Sequence, residues 1–160
     1  MNFTSKYKSE IGWIEIQGNE FEIHSIMFSE QEPVETSNPP IIAQNLWKNL
    51  DEYFQYGQWN FDVQLHPKGT DFQQIVWKEL RKIPFGKTIS YQELALRLGD
   101  EKLIRAAASA NGKNPIAILI PCHRVIGKDG SLIGYAGGMQ RKKFLLEWEK
   151  GLKQPDLFGN

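Results

Sequence analysis

The chain is predicted to be an α+β protein, with an antiparallel β layer near its N-terminus and a helical, winged helix-turn-helix unit in its C-terminal part. Three observations predict this. Apolar and polar residues alternate between Ile11 and Phe28, the period of a half-buried strand. After residue 68 the texture changes to short helical patterns opened by Thr, Ser or Asp and closed by Gly or Pro. Charge divides at the same place: residues 1–67 carry three Lys against ten Asp or Glu, and residues 68–160 carry sixteen Lys or Arg against nine. The 160 residues suit one compact unit or two small ones. We set the boundaries at 1–67, 68–151 and a 152–160 tail.

Taken in order, Ile14 and Ile16 alternate with polar neighbours, Gly18-Asn19 supplies a turn, and Phe21 and Ile23 resume the alternation, so Ile11–Phe28 reads as a hairpin. A Pro- and Glu-rich connector, Glu30–Pro40, follows. Ile41–Tyr56 reads as a helix: Ile42, Leu46 and Leu50 fall four apart, Pro39-Pro40 suit its start and Gly57 its end. Phe61–Leu65 is a strand candidate, and His66–Gly69 a linker. Thr70 and Gln73 form a capping-box pattern ahead of Phe72, Val76 and Leu80, a run that Pro84-Phe85-Gly86 breaks. Ser90 and Glu93 repeat the pattern for a helix ending at Gly99. Asp100 can cap a third helix that Gly112 closes in a left-handed conformation. The two helices joined at Gly99-Asp100 make a helix-turn-helix, with Glu101–Asn111 as its second, recognition helix. Beyond it lie a strand-like run, Ile116–Ile120, a hairpin turn at Asp129-Gly130 that predicts a small wing, a Gly134–Gly138 loop, and a last helix, Met139–Lys150.

Composition excludes several classes. With 41% hydrophobic residues and five Trp the chain can build a real core, yet no apolar run approaches the roughly 20 residues that span a bilayer. Glu10 and Glu15 interrupt any signal-peptide core, so a soluble, cytoplasmic protein without membrane contact is expected. The single cysteine, Cys122, rules out an internal disulfide and a Cys-based zinc cluster. His24 and His66 alone make a poor metal site, and we expect no metal and no cofactor. The basic C-terminal part fits either a face that meets phosphates or a half that attracts its acidic neighbour. The recognition helix leaves a similar pair of readings. Arg105 is followed by Ala106, Ala107, Ala108, Ser109 and Ala110, small side chains that suit either tight packing or close approach to a nucleic-acid groove.

A lone cysteine is either a small buried residue or a working thiol. As a nucleophile it must ionise from an ordinary pKa of about 8.5, which needs a base or a positive field nearby. His123 is adjacent in sequence, although neighbouring side chains in a strand point opposite ways, so a water relay is one route. Glu147 and Glu149 on the last helix are both candidates to orient the imidazole.

The residues then become distinctive. Gly112-Lys113-Asn114-Pro115 followed by Ile118-Leu119-Ile120-Pro121-Cys122-His123-Arg124-Val125-Ile126 closely resembles the active-site segment of the O6-alkylguanine-DNA alkyltransferases. Gly69–Gln73, Val76-Trp77, Ile83–Gly86, Ser90-Tyr91, Gly134–Gly138 and Phe144–Glu149 resemble further stretches of that family, and the likeness covers about residues 7–151. It departs at Glu10, where the family usually has Pro, and at Ala136, where members carry a hydroxyl residue.

The resemblance implies a ribonuclease-H-like N-terminal layer and irreversible, single-turnover transfer of an alkyl group from O6 of guanine, or O4 of thymine, in duplex DNA to Cys122 after nucleotide flipping. It implies that His123 is the base, acting through water and oriented by Glu149, and that Asn114 fixes the turn joining recognition helix to active site. Tyr91 would crowd the phosphate beside the lesion, Arg105 would fill the gap in the base stack, and Ala106 would line the minor groove. Tyr135 and the Ala136 loop would meet the guanine, with Arg124 and Lys142 as further DNA- or substrate-contacting candidates. Partners expected are double-stranded DNA carrying O6-alkylguanine and, through Gln154–Phe158, a sliding clamp; the chain itself is expected to be a monomer. Two other classes compete: a non-enzymatic alkyltransferase-like damage-binding protein, in which the reactive Cys is typically replaced, and a Cys-His hydrolase or thiol redox protein, for which a resolving second cysteine is absent.

Overall fold

The computed structural model describes residues 1–151; the Gln154–Phe158 peptide lies outside the described residues. The chain divides into two compact units, Met1–Lys68 with Pro115–Ala117, and Gly69–Asn114 with the residues from Ile118 onward. Among the described residues no helix is long and apolar enough to cross a membrane.

The first unit is built on a three-stranded antiparallel sheet in the order β1 (Phe3–Ser9), β2 (Gly12–Gly18), β3 (Ile23–Ser29). β2 and β3 form the expected hairpin, but β1 was not foreseen. Its inner face presents Phe3 and then Ser5, so the apolar alternation that reveals a strand is missing. Ser5 is tolerated inside because its hydroxyl donates to Glu35 Oε2 (2.9 Å) and accepts from Trp47 Nε1 (2.8 Å). Phe21 does not resume the strand. The register shifts at Gln17/Gly18, the Asn19 carboxamide accepts from the backbone N–H groups of Phe21 and Glu22, and Phe21 is left 79% exposed in the turn.

α1 (Ile41–Tyr56) has the expected bounds, buries Ala43, Leu46, Leu50, Tyr53 and Phe54, and ends on Gly57 in the left-handed region. The strand expected over Phe61–Leu65 reduces to one bridge, Leu65 to Ile23. The strand expected over Ile116–Ile120 likewise reduces to a bridge between Ile116 and Ile26, because the backbone turns left-handed at Ile118 (φ 71). A β-branched residue is rarely held there, and the turn delivers the chain to Pro121-Cys122.

In the second unit, α2 (Asp71–Leu80) carries the full Thr70–Gln73 capping box. A short strand, β4 (Ile89–Ser90), leads into α3 (Tyr91–Arg97), whose Ser90 cap accepts from the Glu93 N–H. Asp100 caps only a 3-10 turn, Glu101–Leu103, after which α4 (Ile104–Gly112) begins. The expected recognition helix is thus two segments, and Gly112 is its last helical residue rather than a left-handed terminator. The positive φ sits instead at Gly99 (107°), where α3 gives way to the turn. α4 packs on α2 and α3, and Trp77 Nε1 donates to Ala110 O at 2.9 Å. Its Ala107, Ala110 and Asn111 face inward, whereas Arg105, Ala106 and Ser109 stay exposed.

β5 (Val125–Ile126) pairs in parallel with β4, not with the residues that follow it. The Asp129-Gly130 turn closes on itself through Gly127 N–H to Ser131 O (2.8 Å), so the wing is a loop without a second strand among the described residues. α5 (Met139–Glu149) completes the unit, placing Leu145 and Trp148 in the core and Glu149 at the site.

Candidate active site

Cys122 opens a single 3-10 turn, Cys122–Arg124, that is stitched by Cys122 N–H to Ile120 O (2.8 Å) and Arg124 N–H to Pro121 O (3.0 Å). The strand geometry that would turn Cys122 and His123 apart therefore does not apply. The carbonyls of Ile120 and Cys122, on either side of Pro121, are each held by an asparagine. Asn114 Nδ2 donates to Ile120 O at 2.7 Å, and Asn111 Nδ2 donates to Cys122 O at 3.3 Å.

Glu149 closes the other side. Its Oε2 lies 2.8 Å from His123 Nε2, and Arg124 holds both oxygens, through Nε to Oε1 at 2.7 Å and Nη2 to Oε2 at 3.1 Å. Arg124 Nη1 donates to Ile83 O at 2.7 Å, and its guanidinium lies 5.8 Å from the Phe85 ring centroid. Burial works against ionisation of Glu149, but the charges and hydrogen bonds of His123 and Arg124 prevail and hold its carboxyl well below the usual range. An ionised Glu149 can only accept, so the proton between the pair belongs to His123 Nε2. In the neutral imidazole that leaves Nδ1 as the acceptor nitrogen, and Nδ1 has no hydrogen-bond partner among the described residues.

One carbonyl of the loop after β5 is held twice. Ile133 O accepts from Tyr91 Oη (2.8 Å) and from Lys142 Nζ (3.0 Å), and Lys142 also donates to Val125 O (2.6 Å). Gly134 follows with φ 75, and a Cβ there would stand 3.1 Å from the Tyr91 hydroxyl, so glycine fits both the conformation and the space. Tyr135 sets its ring edge-on to His123 (6.5 Å between centroids), and its hydroxyl is buried with no hydrogen-bond partner among the described residues.

The domain family described as 6-O-methylguanine DNA methyltransferase, DNA binding domain, matches residues 71–151. A methylated-DNA–protein-cysteine methyltransferase of Methanosarcina barkeri is 42% identical over 148 residues, 89% of this chain and 94% of that protein. The chain belongs to this methyltransferase family. Among solved structures, an O6-methylguanine methyltransferase of Mycobacterium tuberculosis aligns with a TM-score of 0.84 at 42% identity, covering 94% of each chain. A Mycobacterium tuberculosis relative solved in complex with DNA aligns at 0.82 and 42% identity, covering 91% of each.

The methyltransferase fold brings Cys122, His123, Asn114 and Glu149 together, and of the two α5 carboxylates it is Glu149 that meets the imidazole. Arg105 and Ala106 lie exposed on α4, and Ala136 is exposed on the loop. Arg124 departs from expectation. It is buried, with its guanidinium turned onto Glu149 and Ile83 O, so it supports the carboxylate instead of reaching DNA. Lys142 is also internal, its ammonium engaged by two carbonyls. Sequence reasoning missed Asn111. Its signal is the spacing Asn111–Asn114, which sets two amides one helical turn apart.

Burial pushes the Cys122 thiol up, while the Asn114 hydrogen bond and the Lys142 charge pull it down. Burial lowers Lys142 to about 8, with the Cys122 charge opposing. Lys142 is thus the cation that favours the thiolate. In Lys142→Met the rising limb of single-turnover transfer rate against pH should move to higher pH, with slower transfer at neutrality. Stopped reactions on methylated duplex DNA across neutral and mildly alkaline pH check this.

Proposed function

We infer that this chain repairs DNA by direct reversal, moving the alkyl group of O6-alkylguanine onto Cys122, once per molecule. What supports the reading most is the setting of His123: its Nε2 is held by an ionised Glu149, its Nδ1 is buried without a hydrogen-bond partner among the described residues, and it follows Cys122 directly in the same 3-10 turn. A thiol raised by burial is mostly protonated at neutral pH, so it needs such a base.

The Cys122 proton passes through a bridging water to His123 Nδ1. The thiolate then attacks the alkyl carbon; a C–S bond forms as the C–O6 bond breaks, and its electron pair leaves with guanine, which recovers a proton. The thioether offers no comparable leaving group, so the product is final. The target atom is out of reach inside a duplex, and flipping the nucleotide costs on the order of a few kcal/mol, less for a poorly paired lesion. The exposed Arg105 enters the stack in its place, and the small Ala106 lets α4 approach the minor groove. Tyr91 crowds the neighbouring phosphate. The buried Tyr135 hydroxyl, without a partner among the described residues, donates to the extruded base beside Ala136, and Lys142 braces the loop they share.

The thiol needs a reducing compartment, in keeping with a monomer working in the cytoplasm. Gln154–Phe158 is a candidate sliding-clamp peptide; unchanged clamp binding after deletion of Gln154–Asn160 would remove that idea. The test of the main reading is mass spectrometry of the intact chain and its Cys122 peptide after incubation with duplex DNA carrying O6-methylguanine. One methyl group on Cys122, at most one per chain, is expected. Binding without any mass change would instead make the chain a damage-binding protein.

A further inference from the structure

Asn111 is the last inward-facing residue of α4 and is 1% exposed. Its Nδ2 donates to the backbone carbonyl of Cys122 itself, while Asn114, one turn on, holds the carbonyl of Ile120. The same helix carries Arg105, Ala106 and Ser109 on its outer face. Through Asn111, one amide therefore separates the DNA-facing helix from the reacting residue. The far side of that amide is unusual. Asn111 Oδ1, His123 Nδ1 and Tyr135 Oη are the buried side-chain N and O atoms without a hydrogen-bond partner among the described residues, and all three belong to this one site. A buried unmatched polar atom is costly, so a position that carries one rewards a role beyond filling space.

We propose that Asn111 is a positioning residue: by holding the Cys122 carbonyl it couples docking of α4 on DNA to the aim of the Cys122 sulfur. The inference rests on the alkyl-transfer reading and adds a residue to it. An apolar residue at this position would pack as well but could not donate. An aspartate would keep the shape and present only acceptors to a carbonyl oxygen, the reverse of what the geometry requires.

The experiment compares Asn111→Ala and Asn111→Asp with the wild-type chain on duplex DNA carrying O6-methylguanine, separating affinity for DNA from the single-turnover transfer rate at saturating DNA. Loss of one buried, oriented hydrogen bond predicts a transfer rate at least about tenfold lower in both variants, with DNA affinity within about twofold of wild type. In Asn111→Asp a negative charge held against the Cys122 backbone carbonyl, with Tyr91 and Lys142 among the other titratable groups around the thiol, also moves the rising limb of the pH–rate profile to higher pH, a shift that a loss of packing alone would not cause. The proposal is overturned if either soluble variant transfers within twofold of wild type, or if affinity and rate fall together. A wild-type chain that gains no methyl group would instead reject the underlying alkyl-transfer reading, a result separate from any difference between variants.

Discussion

A Cys122→Ser chain is expected to bind methylated duplex DNA with near-native affinity and to remove nothing from it. The contacts proposed for DNA lie on the exposed face of α4, on Tyr91 and on the Tyr135-Ala136 loop, and the substitution replaces none of these residues. Serine is nearly isosteric and should keep the 3-10 turn, since the bonds that close it are made by the backbone. What changes is the nucleophile. A hydroxyl stays protonated at any pH the fold survives, and it is far weaker at its free pKa than a thiol. The loss should be complete within the sensitivity of mass spectrometry on the peptide carrying residue 122. Transfer retained by this variant would sink the assignment of the acceptor.

Glu149→Gln is expected to damage both stability and chemistry. The carboxylate ties His123 and Arg124, all three nearly or fully buried, and the substitution takes the negative charge away from a guanidinium inside the second unit. Breaking a buried ion pair at one partner costs about 3–5 kcal/mol, which urea denaturation should register as an earlier midpoint. The loss should depend on pH in a defined direction. Because the folded state holds Glu149 below its ordinary 4.5, its contribution is fully present above that value and drains away as pH falls through the lower, folded one. The wild type therefore loses stability on acidification that the variant has already lost, and the two curves converge at low pH. Transfer should slow by about two to four orders of magnitude, the usual worth of a positioned general base, because a neutral amide no longer fixes which nitrogen of His123 is bare. Transfer at the wild-type rate in a folded Glu149→Gln chain would remove His123 from the mechanism.

What the sequence could reveal depended on how local the cause was. α1 was legible to the residue because three signals agree: Pro39-Pro40 at its start, the spacing of Leu46 and Leu50, and Gly57 ready to turn left-handed. The Thr70–Gln73 box was legible because both partners lie within one helical turn. β1 was hidden because Ser5 takes an apolar position and is satisfied by Glu35 and Trp47, which are remote in sequence. The apolar run after Asn114 misled because Ile118 is held in a conformation that its residue type rarely adopts. At the site, the motif around Cys122 pointed to Asn114, His123 and Glu149. Arg124 stands in the same motif, yet its partners are a carboxylate 25 residues away and a carbonyl 41 residues away, so nothing in the local pattern said which way it would turn. Asn111 was overlooked among alanines because its neighbours read as a small-residue stripe.

The double acceptance at Ile133 leaves the side chain of that residue open to change. Tyr91 and Lys142 both grip a main-chain oxygen, while the Ile133 side chain is 56% exposed. The hinge is thus indifferent to the identity of the residue that forms it. Position 133 can be varied while the loop keeps its mooring, a freedom that neither Gly134, wedged beside a hydroxyl, nor Tyr135, packed on His123, can offer.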